Sequence, residues 1–210
     1  SFLKVMEYSL LIVIPAISGI ILLAEPIIRI VYTEKWLPAV PVLQILSIAG
    51  FFICLNDIIS SALIATRNQD KLMLSRMIQI VSLIFLILVF GIDIIKISLF
   101  LSVAFMLGFL SNIYFLSREF KKNILLSFAD TYYIFFATAI MGIIVILFKP
   151  LISNIFYLIV AVGIGFFSYV LSILLLNRKV FLRLIEFAKN LSKHHNLDTF
   201  DEGNRIHNNI

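Results

Sequence analysis

Six apolar runs, each long enough to cross a bilayer, follow one another along this chain with short polar connectors between them. They cover about residues 6–24, 38–65, 72–92, 95–116, 131–148 and 151–176. Roughly 20 mainly apolar residues, rising about 1.5 Å each, span the hydrocarbon, and there only a helix satisfies its own backbone hydrogen bonds. The pattern predicts an all-α integral membrane protein, a bundle of six transmembrane helices occupying residues 1–176. Composition agrees: 61% of the 210 residues are apolar, 14% are charged and the mean hydropathy is +1.08. A soluble domain carries about 25% charged residues, so a water-facing globule is excluded.

The connector between the first two runs is the most distinctive stretch. "LLAEPIIRIVYTEKWLPAVPVLQIL" (22–46) places Glu25, Arg29, Glu34 and Lys35 between apolar segments. It reads as a hairpin, with Tyr32 and Trp36 at headgroup level and Pro38 and Pro41 in the first turn of the second helix. Of the 17 Lys and Arg, only Arg29, Lys35, Lys96 and Lys149 fall on the hairpin's side of the membrane. The others, among them Lys4, Arg67, Lys71, Arg76, Arg118, Lys121, Lys122 and the basic tail, fall on the opposite side. By the positive-inside rule both ends are expected to be cytoplasmic and the hairpin to face outward. The net charge of +5 is thereby explained by topology, and no nucleic-acid partner is expected.

Cys54 is the only cysteine, which excludes an internal disulfide. His194, His195 and His207 all lie in the polar tail. There is no metal-ligand spacing, phosphate-binding glycine loop or nucleophile elbow, so neither a metal, a cofactor nor a catalytic residue is expected. The chain starts at Ser1 and runs straight into an apolar span without a signal-peptide n-region, so it reads as the later part of a longer membrane protein.

Within the spans, small and polar residues recur at helical spacing. Ser47, Gly50, Cys54, Asp57 and Ser61 align on one face of the second; Ala161, Gly165, Ser168 and Ser172 do so in the sixth, and Thr131, Phe135, Thr138 and Gly142 in the fifth. Such stripes serve either close helix packing or the lining of a water-filled cavity. Asp57 lies about eight residues from its helix end, where an ionised carboxylate facing lipid costs about 3 kcal/mol, so it must face protein or water. Asn56 and Gln44 add polarity on other faces, and Arg76 and Gln79 share a face of the third span. Arg76 either snorkels to the interface or, with Arg67, attracts an anionic headgroup. Glu7, Lys96 and Lys149 lie near span ends and read as interfacial charges.

Two further segments are basic and amphipathic: "REFKKNILLSFADTYY" (118–133) and "NRKVFLRLIEFAKNLSK" (177–193). Both are expected to lie as helices on the cytoplasmic leaflet, in contact with membrane lipids. Residues 194–210 read as a polar, disordered tail.

Pro15 and Gly19, "LLAEPIIRIVYTEKWLPAVPVLQILSIAG" and then "SALIATRNQDKLML" resemble the C-terminal half of polysaccharide exporters of the MATE-like MOP superfamily. More narrowly, they are similar to Wzx-type flippases of O-antigen, lipopolysaccharide or teichuronic acid synthesis. Much of residues 10–80 carries the likeness; the remainder agrees in hydropathy and topology. The resemblance implies one lobe of a two-lobed transporter, with the N-terminal lobe supplied by chain absent here. It further implies flipping of an undecaprenyl-diphosphate-linked oligosaccharide across a bacterial inner membrane by alternating access, for cell-surface polysaccharide biosynthesis. Asn56, Asp57, Arg76 and Gln79 are the expected substrate-cavity residues, and Arg67 and Arg76 the expected headgroup-attracting pair. A small-molecule or multidrug cation antiporter of the same superfamily is the alternative. A membrane enzyme of glycan assembly is a third reading, and the outward loops offer it little acid–base chemistry.

Overall fold

The computed structural model describes residues 2–120 and 131–177. They form six long helices: α1 (Phe2–Val31), α2 (Val40–Ala65), α3 (Gln69–Phe90), α4 (Ile94–Phe120), α5 (Tyr132–Phe148) and α6 (Ile155–Leu176). Each of the six is long and apolar enough to cross a membrane. Among the described residues the chain is all-α, as expected. Residues 121–130 of the first amphipathic segment, the helix expected at 177–193 (beyond Asn177) and the tail at 194–210 lie outside the described residues.

The polar stretch after the first span is mostly helix and not a long hairpin loop. α1 continues past the expected boundary at residue 24 through Pro26 to Val31, so Glu25 and Arg29 stand one turn apart on it and pair at 3.2 Å. Apolar Ile27, Ile28, Ile30 and Val31 keep the helical pattern going, and Pro26 only removes one donor. A 3₁₀ turn, Glu34–Ala39, then contains Pro38, and Pro41 opens α2, where a missing N–H costs little. Tyr32 and Trp36 are both exposed, their ring centroids 6.4 Å apart.

The remaining turns are tight. Arg67 adopts φ 58°, and the amides of Thr66, Arg67 and Asn68 return to carbonyls of the last turn of α2, closing it before α3. Gly91, at φ 79°, ends α3, a backbone position natural to glycine.

Cross-helix bonds give the topology. Ser102 bonds the Ile45 carbonyl and Asn112 bonds Asn56, so α2 and α4 run in the same direction, with α3 antiparallel beside α4. Tyr133 bonds Glu7 and Lys149 pairs with Glu25, so α1 and α5 also run together, with α6 antiparallel against both. α1 joins the group α2–α3–α4 to the pair α5–α6.

α3 shows what solvent this fold is built for. Its buried residues are Ser75 and Gln79, while Met77, Val81, Phe85 and Leu88 are exposed. In water that arrangement is inverted; in lipid, exposed apolar side chains cost nothing and buried polar groups supply the attachment.

Candidate substrate-cavity site

Consecutive residues on a helix point about 100° apart, and α2 uses this at positions 56 and 57. Asn56 is 1% exposed and faces α4, whereas the Asp57 side chain is 70% exposed on the opposite flank. The open flank continues through Cys54 and Ser61, both exposed, and through Gly50, where an added Cβ would meet nothing within 4 Å. The small-residue stripe of α2 therefore stands largely open along this part. The stripe of α6 does: Ala161, Gly165 and Ser172 are buried, and a Cβ on Gly165 would lie 2.9 Å from Val145 Cγ2 of α5. Thr131 just before α5, and Thr138 and Gly142 within it, are buried while Phe135 turns outward.

Behind Asn56 lies a polar seam between α2, α3 and α4. Asn56 Nδ2 donates to the Phe105 carbonyl at 3.1 Å, and Asn112 Nδ2 donates to Asn56 Oδ1 at 2.9 Å. Ser75 Oγ donates to the Gly108 carbonyl at 3.1 Å. Gly108 also admits Gln79, whose Cδ stands 3.4 Å from where a Cβ would be. In hydrocarbon these bonds replace the missing hydrophobic drive for helix association.

Gln79 connects the seam to the open flank. Its Oε1 accepts from Arg76 Nη1 at 3.4 Å, while Arg76 Nη2 lies 3.8 Å from Asp57 Oδ1. Three of the four expected cavity residues, Asp57, Arg76 and Gln79, thus form one contiguous chain of polar groups. The fourth, Asn56, stands apart from that chain, buried in the seam where its hydrogen bonds tie α2 to α4. The buried amide needs partners and finds them in α4. The Gln79 Nε2 group and Asn112 Oδ1 have no hydrogen-bond partner among the described residues. Arg67 sits exposed in the α2–α3 turn.

The Asp57–Arg76 contact is loose. Both side chains are substantially exposed, at 70% and 42%, and a pair of this length in water contributes about 0–1 kcal/mol. The guanidinium therefore retains donors for another anion.

Some residues that matter here are not singled out by small-residue spacing. Asn112 is one; its signal is a lone amide in the middle of an apolar span, a costly placement without a partner. Glu7 and Lys149, read from sequence as interfacial charges, are cross-helix contacts: Glu7 Oε1 accepts the Tyr133 hydroxyl at 2.6 Å, and Lys149 Nζ stands 3.0 Å from Glu25 Oε2. Spacing within one helix carries no signal for pairs so far apart in sequence.

A family model described as "Polysaccharide biosynthesis protein" matches residues 1–41, which is α1 and the turn that follows it. No curated protein sequence matches the chain. Among solved structures the fold is similar to "Lipid II flippase MurJ, inward closed conformation", with a TM-score of 0.70 and 23% identity. The likeness covers 82% of this chain and 37% of that one, so the chain spans little more than a third of that flippase. The six-helix fold of this chain is therefore similar to part of that flippase's fold.

Proposed function

We propose that this chain is one lobe of a transporter that flips an undecaprenyl-diphosphate-linked oligosaccharide across a bacterial inner membrane, in the Wzx-type branch of the MOP superfamily. The observation that carries the reading is the Asp57–Arg76–Gln79 chain. An arginine held from one side by a neutral amide, and only loosely by an exposed carboxylate, is poised to exchange that carboxylate for a diphosphate. The positive-inside count puts Arg67 and Arg76 toward the cytoplasm, where the lipid-linked glycan is made. In this account Arg67 and Arg76 draw in the diphosphate and Asp57 releases Arg76 to it. The sugars occupy a polar cavity completed by a second, N-terminal lobe, and the polyprenyl chain stays in lipid. Alternating access between the lobes follows substrate flux or an ion gradient, with no chemical step at the site, so the protein acts as a transporter and not as an enzyme.

Arg76→Ala tests this assignment. Transport of lipid-linked glycan should fall while the amount of folded protein in the membrane stays constant; unchanged transport would remove Arg76 from the site.

One observation favours a cation antiporter of the same superfamily, namely the exposure of the Asp57 carboxylate. That reading requires Asp57→Asn to abolish extrusion of a cationic dye. The flippase reading requires only that Asp57→Asn leave Arg76 unpaired, with glycolipid transport retained.

A further inference from the structure

At the opposite end of the bundle from Arg67, a second charged cluster is built from α1 and the turn that follows α5. Glu25 of α1 holds one cation on each of its carboxylate oxygens: Arg29 Nη2 at 3.2 Å on Oε1 and Lys149 Nζ at 3.0 Å on Oε2. One negative charge thus faces two positive ones. The arginine carries five N–H donors and the lysine three, far more than a single carboxylate can accept. All three side chains are partly open, between 39% and 52% exposed.

These groups line a recess of about 940 Å³. Its remaining polar wall is Ser153 and Asn154, which lead into the amino end of α6, a terminus with no side-chain cap. The first amides of a helix carry no internal partner and favour negative charge, adding to the two cations. Ile30, Ile146, Ile152 and Ile155 form the apolar part of the same wall. The recess therefore combines surplus positive charge, free donors and hydrocarbon at one site, a combination suited to an anion attached to an apolar chain.

We propose that the Glu25–Arg29–Lys149 recess binds a phosphate group, with the phosphate of a membrane lipid as the source favoured by its isoleucine wall. Arg29 and Lys149 hold the phosphate oxygens, and Glu25 is the internal competitor that sets the affinity. The proposal goes beyond the flippase reading and does not rest on it, because it uses neither Arg76 nor Asp57.

Native mass spectrometry of the purified full chain in detergent tests it, with dioleoylphosphatidylglycerol as probe and dioleoylglycerol as its phosphate-free counterpart. Binding of the phosphatidylglycerol should exceed that of the diacylglycerol. Arg29→Gln or Lys149→Gln should weaken it by about tenfold, the effect of losing one charge-assisted contact. Arg29→Lys should retain most of it. Glu25→Gln should strengthen it, which a purely structural ion pair would not do. Displacement of the lipid by inorganic phosphate would identify a soluble phosphate as the ligand; resistance to it would identify the lipid headgroup. Equal binding of the two lipids, or phosphatidylglycerol binding unchanged in all three charge variants, would overturn the proposal.

Discussion

The hydroxyl of Tyr169 on α6 donates at 2.7 Å to the Leu11 carbonyl of α1, the carbonyl that Pro15 leaves without its regular helical donor. A proline four residues on cannot supply an N–H, and in a membrane no water replaces it. Tyr169 is buried, so the pair is both a repair of the α1 backbone and a tie between helices far apart in sequence. Tyr169→Phe should destabilise the bundle by about 1–2 kcal/mol. In a Pro15→Ala background, where residue 15 has an N–H to offer Leu11, the same substitution should cost less than half as much. Reversible unfolding in mixed detergent micelles, followed by circular dichroism, checks the cycle; an equal cost in both backgrounds would contradict the repair.

The Asn56–Asn112 pair predicts a different pattern. Asn112→Leu leaves the buried Asn56 Oδ1 without its donor and should cost about 1–3 kcal/mol. Replacing both asparagines with leucine removes the orphaned group and should recover much of that loss, since apolar residues can pack the same seam. Unfolding of the two single variants and the double variant gives the coupling directly.

Gly165 sets how closely α5 and α6 approach. A Cβ there would lie 2.9 Å from Val145 Cγ2, and valine has little rotamer freedom in a helix with which to withdraw. Gly165→Ala should therefore destabilise by about 1–3 kcal/mol through overpacking, and Val145→Ala in the same chain should restore much of the loss. Thermal unfolding in detergent measures both; a Gly165→Ala variant as stable as the parent would show that the helices separate freely.

How much of this was legible in the sequence follows from the range of each signal. Long apolar runs report directly on membrane helices, because length and hydropathy are local properties. The end of α1 was harder to read: Glu25, Pro26 and Arg29 look like a connector, yet Pro26 removes only one donor and the isoleucines around it keep the helix going. Spacing correctly aligned Asp57 with Cys54 and Ser61, but spacing alone does not tell a lining face from a packed one. The structure leaves that face open on α2 and closes the analogous one on α6. Asn56 was singled out for polarity and belongs to the seam. Its partner Asn112, the Tyr169 bond to Leu11 and the Lys149 pair with Glu25 all depend on which helices meet, and a single sequence carries no record of that.

Arg76 carries a prediction about geometry as well as charge. Arg76→Lys keeps the cation but loses the planar fork that binds two phosphate oxygens together. Transport should fall by about tenfold, less than in Arg76→Ala, because one charge-assisted bond is lost and the attraction remains. Transport per folded protein in the lysine variant equal to the parent would mean that Arg76 acts only as a point charge.

The most direct test of the account is mass spectrometry of polyprenyl-linked glycans extracted from cells lacking the gene, with the leaflet of each species resolved by its accessibility to an added glycosidase. The account predicts that completed repeat units accumulate on the cytoplasmic leaflet, because assembly proceeds and translocation does not. An unchanged set of lipid-linked glycans, or a stall at an unfinished repeat, would contradict it.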